Sequence, residues 1–441
     1  MLHRGQEIKV EITDIDPEGR GVGQIDGKKI LIYYTVPGDI VKARIVRIKR
    51  REVIGQLLDV ISESEWRVKP RCKHFGLCGG CKLQNYDYVR QLAFKRRIVK
   101  QAFQRHGINA EVDKVYESKN LWFYRNRMDY VIGLHLEVGL RPPEKWFEVV
   151  DLDECYLLSP ESNEILKTFK KAIREGKYEA FNTKTQSGFL RYLVIREGKF
   201  TSERMVNIVT FTGQFQGIDQ LMNRIIKLGV TSFYWSINPK ITDVSYGEEL
   251  KNLYGTKYLR EKILGYVFNI HPNSFFQTNS YQACQLVKFA QTLFNFRTSD
   301  KLLDLYCGTG LFAISLHGYV NEVVGLEIDS YAVECAKLNA IENDVKNINF
   351  IEGDAAKLSE FIKDVNLVVV DPPRPGMHPK TIKAILDLKP REIIYFSCNP
   401  ETMARDISLL SKRYQIEGKV HPIDMFPHTP HVEAVVKLVR R

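Results

Sequence analysis

The sequence has few cysteines and no long hydrophobic run, and each shortage excludes a class of protein. Eight cysteines in 441 residues are too few for a disulfide-stapled extracellular scaffold, so clustered cysteines indicate metal ligands or catalysts. No apolar stretch reaches the roughly 20 residues that a membrane span requires. The first ten residues also lack the apolar segment of a signal peptide. We therefore expect a cytoplasmic protein with no membrane segment.

Acidic residues are scarce in one part of the chain. Lys and Arg together number 64 and Asp and Glu 53, which gives a net charge of +11. Residues 40–110 contain 17 basic and 5 acidic residues, so this segment carries the whole surplus. A basic band of this kind is typical of proteins that bind a polyanion such as RNA. The alternative interpretation is a solvated, lysine-rich surface.

The first 60 residues have the pattern of a small β-barrel. Residues 7–12 and 41–48 alternate polar and apolar side chains, and a slip of one residue at Val46 predicts a β-bulge. We predict a five-stranded barrel of the oligonucleotide-binding type over residues 1–61. Four basic residues at the end of its fourth strand are candidates for contacts with a phosphate backbone: Arg47, Lys49, Arg50 and Arg51.

Residues 62–265 predict a central domain of mixed α and β structure. A basic helix is predicted over residues 89–106, and a strand over residues 146–152. A second helix begins at Pro160, with Ser159 as its N-cap.

The central domain also contains a cysteine cluster. Three thiols are close in sequence and a fourth is remote: Cys72, Cys78, Cys81 and Cys155. Four thiolates spaced in this way suit either a tetrahedral zinc ion or a 4Fe-4S cluster. The spacing alone leaves both possibilities open. The remaining cysteines outside the catalytic motifs are interpreted as packing residues.

Residues 266–441 alternate helices and strands, which predicts a parallel, doubly wound sheet. The last two strands, around residues 420–425 and 432–439, have no helix between them and predict an antiparallel hairpin at the sheet edge. This ending is typical of class I (Rossmann-like) methyltransferases and unusual for nicotinamide-dependent enzymes. We therefore predict a domain that binds S-adenosylmethionine.

A glycine turn, DLYCGTG at residues 304–310, follows the first strand of that sheet. Glycines allow a ligand to approach the backbone closely, and this turn is one glycine short of the dinucleotide fingerprint. Glu327 ends the next strand, where an acidic residue accepts hydrogen bonds from ribose hydroxyls. Asp354 ends the third strand, where it either meets an adenine amino group or caps a helix.

Two candidate catalytic residues follow later strands. Cys398 lies at the end of the fifth strand beside a predicted helix start, and a helix N-terminus lowers the pKa of a thiol. Glu433 begins an otherwise apolar strand, so we expect desolvation to raise its pKa toward that of a general base. Taken alone, each residue also has a structural interpretation, as a packing cysteine and an exposed strand-end acid.

The motif DPPRPG at residues 371–376 ends the fourth strand at the same sheet edge. It places the carboxylate of Asp371 where a cofactor's reactive end is expected, and the sequence leaves open whether it contacts the target base, the cofactor or both. A related motif with an aromatic residue at the position of Arg374 serves enzymes that methylate exocyclic amines. The arginine therefore argues against that class.

The motifs FFQTN, DLYCGTG, DPPRPG, SCNP and HVE, in this order, resemble the RNA uracil-C5 (5-methyluridine) methyltransferase family. The resemblance covers essentially the whole chain, and the EGRGVG and VPGD turns of the barrel resemble a TRAM domain. It implies that Cys398 is the nucleophile and Glu433 the proton-abstracting base. It further implies a 4Fe-4S cluster rather than zinc, and a cofactor site lined by Gln277, Tyr306, Glu327, Asp354 and Asp371. Leu311 is a departure, because bacterial members usually carry Asn there.

The implied chemistry explains the need for both a thiol and a base. Thiolate addition to C6 of uracil makes C5 nucleophilic, and a base then removes the C5 proton after methylation. The target uridine must leave its base stack, and Phe275 either stacks on it or packs in the core. The expected partner is structured RNA, ribosomal or transfer, with no obligate protein partner.

Two alternative functions come from other classes. The first is an RNA-binding iron–sulfur protein with a non-catalytic methyltransferase fold, which the presence of both Cys398 and Glu433 argues against. The second is a cytosine-C5 methyltransferase, but those enzymes carry the thiol one strand earlier.

Overall fold

The structure is a computed structural model that describes residues 2–176 and 178–441. It contains an N-terminal barrel, a central α/β region and a C-terminal sheet covered by helices. No helix within these two ranges is long and apolar enough to cross a membrane. The predicted boundaries at residues 61 and 265 stay predictions.

The N-terminal sheet has six strands in the order β1-β5-β6-β4-β3-β2. The strands are β1 (Glu7–Glu11), β2 (Asp14–Ile15), β3 (Arg20–Ile25), β4 (Lys28–Tyr33), β5 (Ile40–Ile48) and β6 (Glu52–Ser62). The prediction of five strands is wrong by one, because the two-residue strand β2 pairs with the start of β3. The pairing of β5 with β6 shifts register between Ile45 and Arg47, which confirms the predicted bulge at Val46.

The central region is built on a seven-stranded sheet of order β13-β12-β11-β10-β7-β8-β9. Its elements are α1 (Tyr88–Arg105), β7 (Arg127–Ile132), β8 (Val138–Leu140), β9 (Val150–Asp151), α2 (Pro160–Glu175), β10 (Leu190–Glu197), β11 (Arg204–Thr210), α3 (Ile218–Ile226), β12 (Ser232–Ile237) and β13 (Glu249–Gly255). Ser159 caps α2 as predicted.

The strand predicted over residues 146–152 is shortened to the two residues of β9. Trp146 and Phe147 lie in the preceding loop, and both side chains are exposed. Apolar residues were a misleading signal here, because these two do not pack into the core.

The C-terminal region begins with a two-stranded sheet and continues as a seven-stranded sheet with helices. Its elements are β14 (Leu259–Ile263), β15 (Tyr266–Ile270), α4 (Ser280–Leu293), β16 (Lys301–Leu305), α5 (Leu311–Leu316), β17 (Glu322–Glu327), α6 (Ser330–Glu342), β18 (Ile348–Glu352), α7 (Leu358–Phe361), β19 (Leu367–Val370), α8 (Pro379–Leu388), β20 (Glu392–Ser397), α9 (Pro400–Leu410), β21 (Tyr414–Ile423) and β22 (Glu433–Arg440).

The order of the large C-terminal sheet is β18-β17-β16-β19-β20-β22-β21. Strands β16 to β20 are parallel, and β22 runs antiparallel between β20 and β21. This arrangement confirms the predicted parallel sheet with an antiparallel terminal hairpin. It also places β20 and β22 side by side, although 35 residues of helix, strand and loop separate the two strands.

Helix α1 joins the central region to the C-terminal sheet. Its residues Val99 and Phe103 are buried in the same hydrophobic cluster as Leu303 and Val368 of the sheet. One face of α1 is therefore part of the core of the C-terminal region.

Candidate active site

The candidate site lies at the carboxyl edge of the parallel strands, where loops from neighbouring strands meet. Each parallel strand contributes at least one sequence-predicted residue to this edge: Tyr306 follows β16, Glu327 ends β17, Asp354 follows β18, Asp371 follows β19 and Cys398 follows β20. Glu433 reaches the same edge as the first residue of β22.

In the glycine turn after β16, two positions have positive φ angles, which favour glycine. Gly308 has φ of 52° and Gly310 has φ of 87°, a left-handed region that glycine adopts at little cost. A Cβ atom on Gly310 would lie 2.8 Å from the ring of Phe350, whereas one on Gly308 would meet nothing nearer than 4.0 Å. Gly310 is therefore required for packing, and the backbone at Gly308 has open space beside it.

Glu327 and Asp354 both bind backbone amides near this turn. Glu327 accepts hydrogen bonds from the N–H of Gly308 (3.0 Å) and from the N–H groups of the two residues that follow it. Asp354 is exposed and accepts from the N–H of Ala356 at 2.8 Å. The capping interpretation of Asp354 thus describes the structure, and a contact with adenine stays a prediction.

Asp371 and Gln277 are joined directly. Gln277 Nε2 donates to Asp371 Oδ2 at 2.8 Å, and the carbonyl of Gln277 accepts from Asn126 Nδ2 at 2.8 Å. Burial raises the pKa of Asp371 to about 7, and the hydrogen bond from Gln277 partly offsets the rise. Gln277, which is remote from Asp371 in sequence, is thereby brought into the site.

Asp304 is a buried carboxyl group that the sequence analysis did not single out. Its Oδ2 accepts from the N–H of Ala313 at 2.8 Å, and its Oδ1 has no hydrogen-bond partner among the described residues. Burial raises its pKa to about 8. An acidic residue inside an otherwise apolar strand was the signal that could have identified it.

The pairing of β20 with β22 brings the two candidate catalytic residues together. Ser397 lies opposite Ala434 in the register, so the next residue of one strand and the preceding residue of the other, Cys398 and Glu433, face each other. Glu433 is only 4% exposed, and its charge acts on the thiol of Cys398.

The expected low pKa of the Cys398 thiol is wrong. Burial raises the pKa of Cys398 to about 12, the negative charges of Glu433 and Asp371 add to the rise, and the nearby Arg374 guanidinium opposes it. The thiol does precede helix α9, so the expected helix dipole is present. It is outweighed by desolvation and by two neighbouring carboxyl groups.

The predicted upward shift at Glu433 is confirmed. Burial raises its pKa well above the ordinary range, and the adjacent Asp371 raises it further. Two carboxyl groups and one thiol therefore share a small region in which each disfavours the ionisation of the others.

An open cleft of about 410 Å³ adjoins this site. It is lined by Gly80, Arg125, Arg127, Met128, Asp129, Leu140, Leu157, Phe275, Phe276 and Thr278. Phe275 is 60% exposed, which excludes the core-packing interpretation and leaves its ring available for stacking. Phe276 and Thr278 of this lining are the chain neighbours of Gln277.

The four cysteines of the central region line one small cavity together with His74 and Glu154. Burial raises the pKa of the Cys78 thiol to about 12 and also raises those of Cys72, Cys81 and Cys155. Within residues 2–176 and 178–441, no group of three or more Cys, His, Asp or Glu side chains is arranged to hold a metal ion. The structure thus brings the predicted ligands to one cavity without a ready-made metal site.

Two basic segments differ in their surroundings. The side chains of Arg47, Lys49, Arg50 and Arg51 are all exposed at the turn between β5 and β6. Lys95 of the basic helix is fully buried against Asp424. It is therefore not part of an RNA-binding surface, contrary to what the charge of the segment suggests.

Comparison with known proteins identifies two segments. Residues 249–441 match the tRNA (uracil-5-)-methyltransferase family, and residues 2–58 match the TRAM domain.

Curated relatives match over almost the full chain. The tRNA (uracil(54)-C(5))-methyltransferase of Pyrococcus abyssi is 40% identical over 429 residues, covering 97% of this chain and 99% of that protein. The enzyme of the same name from Pyrococcus furiosus is 39% identical, covering 93% and 95% respectively.

A solved structure is also similar. The crystal structure of the Pyrococcus abyssi tRNA (uracil-54, C5)-methyltransferase, in complex with S-adenosyl-L-homocysteine, superposes with a TM-score of 0.81 at 37% identity. It covers 98% of this chain and 100% of that one.

Proposed function

The chain belongs to the tRNA (uracil-5-)-methyltransferase family, and from this premise we propose that it methylates C5 of uridine 54 in tRNA. Its activity is the transfer of a methyl group from S-adenosylmethionine to C5 of a uracil in RNA. The choice of tRNA over ribosomal RNA is the new element of the proposal.

The match to the Pyrococcus relatives over almost the full length of both chains carries this choice. The similarity includes the barrel and the central region as well as the catalytic sheet. Those two parts hold the exposed basic turn between β5 and β6 and the cleft with Arg125 and Arg127. Parts of a protein that contact RNA outside the reacting base determine which RNA is bound.

The reaction begins with an attack by Cys398. The thiolate sulfur forms a bond to C6 of uracil, and the electrons of the C5–C6 double bond move toward C5 and the O4 carbonyl, giving an enolate. S-adenosylmethionine, when bound, supplies the methyl group as an electrophile. C5 then carries both the methyl group and its original proton.

Glu433 completes the reaction as the base. Its carboxylate accepts the C5 proton, the C5–H electrons restore the C5–C6 double bond, and the C6–S bond breaks to release the Cys398 thiolate. The position of Glu433 opposite Cys398, at the end of paired strands, supports this division of roles. A raised pKa makes the ionised carboxylate a stronger base.

The pKa shifts give the reaction a defined pH dependence. Cys398 and Glu433 must both be ionised to act, and both have raised pKa values. Each ionised fraction therefore grows as the pH rises, so the rate is expected to increase through the neutral range.

We assign the cofactor site to the residues around the glycine turn. Glu327 is positioned to accept hydrogen bonds from ribose hydroxyls, in the place where it now binds the N–H of Gly308. Tyr306, Asp354 and the hydrogen-bonded pair of Gln277 and Asp371 complete the assigned site.

We also assign a 4Fe-4S cluster to Cys72, Cys78, Cys81 and Cys155. Four sulfur donors that share one cavity are the ligand set that such a cluster takes. The resemblance to the family favours this cluster over a single zinc ion, which the same four thiolates could also bind. The role of the cluster would be to hold residues 72–81 against the segment after β9.

Methylation of defined RNAs tests the proposed substrate. Purified protein is incubated with labelled S-adenosylmethionine and three RNAs: a tRNA transcript, the same transcript with cytidine in place of uridine 54, and a ribosomal RNA fragment. Label in the first RNA alone is expected. Equal labelling of the two tRNAs, or labelling of the ribosomal fragment alone, would contradict the proposal.

A further inference from the structure

The loop of residues 424–432, which joins β21 to β22, is held by an unusual number of contacts from elsewhere in the chain. Glu433, the first residue of β22, directly follows this loop. Five consecutive backbone carbonyls of the loop accept hydrogen bonds from outside it: Asp424 O from Gln282 Nε2, Met425 O from Asn279 Nδ2, Phe426 O from Lys95 Nζ, Pro427 O from the hydroxyl of Tyr124, and His428 O from the N–H groups of Lys82 and Leu83. These bonds satisfy carbonyls that no strand or helix partner reaches, and they fix the path of the loop.

Lys95 is the charged member of this set. Its side chain is fully buried. Its Nζ lies 2.5 Å from Asp424 Oδ1 and 2.9 Å from the carbonyl oxygen of Phe426. The other carboxylate oxygen of Asp424 accepts from the hydroxyl of Tyr88 at 2.8 Å. Helix α1 thus holds the first residues of the loop through the buried ion pair of Lys95 with Asp424.

The middle of the loop contains a residue with a strained backbone conformation. His428 has φ of 65°, a left-handed value that costs energy for a residue other than glycine. Its N–H donates to Gln91 Oε1 at 3.0 Å, and its ring stacks on Trp122 with ring centres 4.1 Å apart. A strained backbone persists only where the surroundings determine it, so the contacts of Gln91 and Trp122 hold His428 in this conformation.

We propose that Lys95 and Asp424 are positioning residues that hold Glu433 at the C5 proton of the substrate, acting through the 424–432 loop. This inference rests on the proposed role of Glu433 as the base. The ion pair lies at one end of the loop and Glu433 at the other, and Ile423 and Glu433 are paired across β21 and β22. Removing the contacts of Lys95 loosens the first residues of the loop, next to the pairing of Ile423 with Glu433, and lets the carboxylate of Glu433 shift relative to Cys398.

The consequence is specific to one step of the reaction. Attack by Cys398 and methyl transfer precede the removal of the C5 proton by Glu433. A displaced carboxylate accepts the C5 proton slowly, so the C6–S bond stays intact. The enzyme then accumulates covalently bound to methylated RNA, a species that a general loss of stability would not increase.

The experiment measures this covalent species with ordinary, unfluorinated tRNA. Wild type, Lys95→Met, Glu433→Gln and a control variant are mixed with tRNA and S-adenosylmethionine, and denaturing gels separate protein–RNA adduct from free protein. The control is Lys170→Met, because Lys170 is also a buried lysine on a helix, donating to the Leu152 carbonyl at 2.6 Å and lying 3.0 Å from Asp151. Its contacts are outside the loop.

Lys95→Met is expected to raise the adduct fraction about fivefold or more while lowering turnover, and Lys170→Met is expected to leave the adduct fraction at the wild-type level. An unchanged adduct fraction in folded Lys95→Met, beside a raised one in Glu433→Gln, would overturn the positioning role. No rise in Glu433→Gln would instead reject Glu433 as the base.

Two further variants decide the outcome if Lys95→Met fails to fold. The double variant Lys95→Met/Asp424→Asn leaves no unpaired buried charge, and Tyr88→Phe removes one hydroxyl while both charges stay. Thermal melting and S-adenosylhomocysteine binding identify the folded variants. Wild-type adduct fractions in both of these variants would overturn the proposal, and raised fractions would support it.

Discussion

Two of the places where burial raises the pKa of a thiol, Cys398 and the four-cysteine cavity, differ in what surrounds the sulfur. Cys398 lies half-buried at an open sheet edge, with Glu433, Asp371 and Arg374 acting on its charge. The four cysteines of the central region line a cavity with one another, and their thiols raise one another's pKa. The same direction of pKa shift therefore arises from two different environments.

These two environments imply different events that accompany the loss of the thiol proton at each site. A lone thiol beside a base and an open cleft can add to a substrate carbon and be released again. Four thiols facing one cavity lose their protons together when a metal cluster binds, because each becomes a ligand. Under the proposed roles, Cys398 is released in each turnover, whereas the four cysteines stay bound as ligands.

The largest expected effect is at the single thiol. Cys398→Ala should reduce methylation by at least about 1000-fold, because no other group replaces the covalent step. Binding of S-adenosylhomocysteine should change little, since the nucleophile attacks the base. Transfer of labelled methyl groups and isothermal titration measure the two quantities.

A substrate analogue adds a direct readout for the same residue. tRNA containing 5-fluorouridine should trap the wild type covalently, because fluorine cannot be removed as a cation, and should not trap Cys398→Ala. Turnover within tenfold of wild type in the variant would contradict the assignment of Cys398 as nucleophile.

A smaller effect is expected at the cysteine cavity. Cys81→Ser should abolish iron binding and visible absorption and lower the melting temperature, with a decrease in activity of about tenfold rather than complete loss. Metal analysis of anaerobically purified protein, absorption spectra and thermal melting provide the measurements.

Cys284→Ser is the matched control for this variant, since Cys284 is half-buried and outside both thiol sites. It should retain the metal. A colourless wild type with one zinc per chain would assign the four thiols to zinc instead of iron.

The raised pKa of Cys398 can be tested without substrate. Its alkylation by iodoacetamide should accelerate about tenfold per pH unit from neutral pH upward without reaching a plateau, because the thiolate fraction rises in that way below the pKa. Arg374→Gln should slow alkylation further at each pH, since it removes the charge that lowers the pKa. Mass spectrometry of the Cys398 peptide measures the rate. A plateau near neutral pH would instead show that the helix start dominates.

The smallest effect on the reaction rate is expected from substitutions in the basic turn of the N-terminal sheet, which is remote in sequence from both thiol sites. Neutralising Arg47, Lys49, Arg50 and Arg51 should weaken tRNA binding and reduce the slope of log affinity against log salt by about 0.7 to 0.9 for each lost phosphate contact. The rate at saturating tRNA should change much less. Filter binding at several salt concentrations measures the slope.

Lys42 and Arg44 serve as the control pair for that experiment. They lie on β5, as Arg47 does, and form ion pairs with Glu7, so neutralising them should change the slope less. Lys49 is likewise paired with Glu52, so the larger change is expected from Arg47, Arg50 and Arg51. A wild-type slope in the quadruple variant would exclude this turn from RNA binding.

Much of the fold followed from local patterns. Apolar strands alternating with helices predicted the parallel sheet, and the missing helix before the last strand predicted the antiparallel hairpin. The one-residue slip at Val46 predicted a bulge that the pairing of β5 and β6 confirms. These features are readable because side-chain periodicity reports the conformation of neighbouring residues.

Charge and ionisation were predicted less well. Lys95 was counted with a basic surface but is buried against Asp424, and Cys398 was expected to have a low pKa but has a high one. Both depend on residues that are distant in sequence. A local pattern cannot report desolvation or the sign of a charge that only the fold brings near.

By itself, the sequence determined which residues stand at the ends of the strands, because the strand pattern and the motifs are local. Only the tertiary structure decided what each residue meets there: Cys398 faces Glu433 because β22 inserts between β20 and β21, and Gln277 reaches Asp371 from a separate loop. Only the structure tied the 424–432 loop to Lys95 of helix α1. The physical reason is that pKa values and side-chain positions depend on distances in space, which chain topology sets and sequence spacing does not.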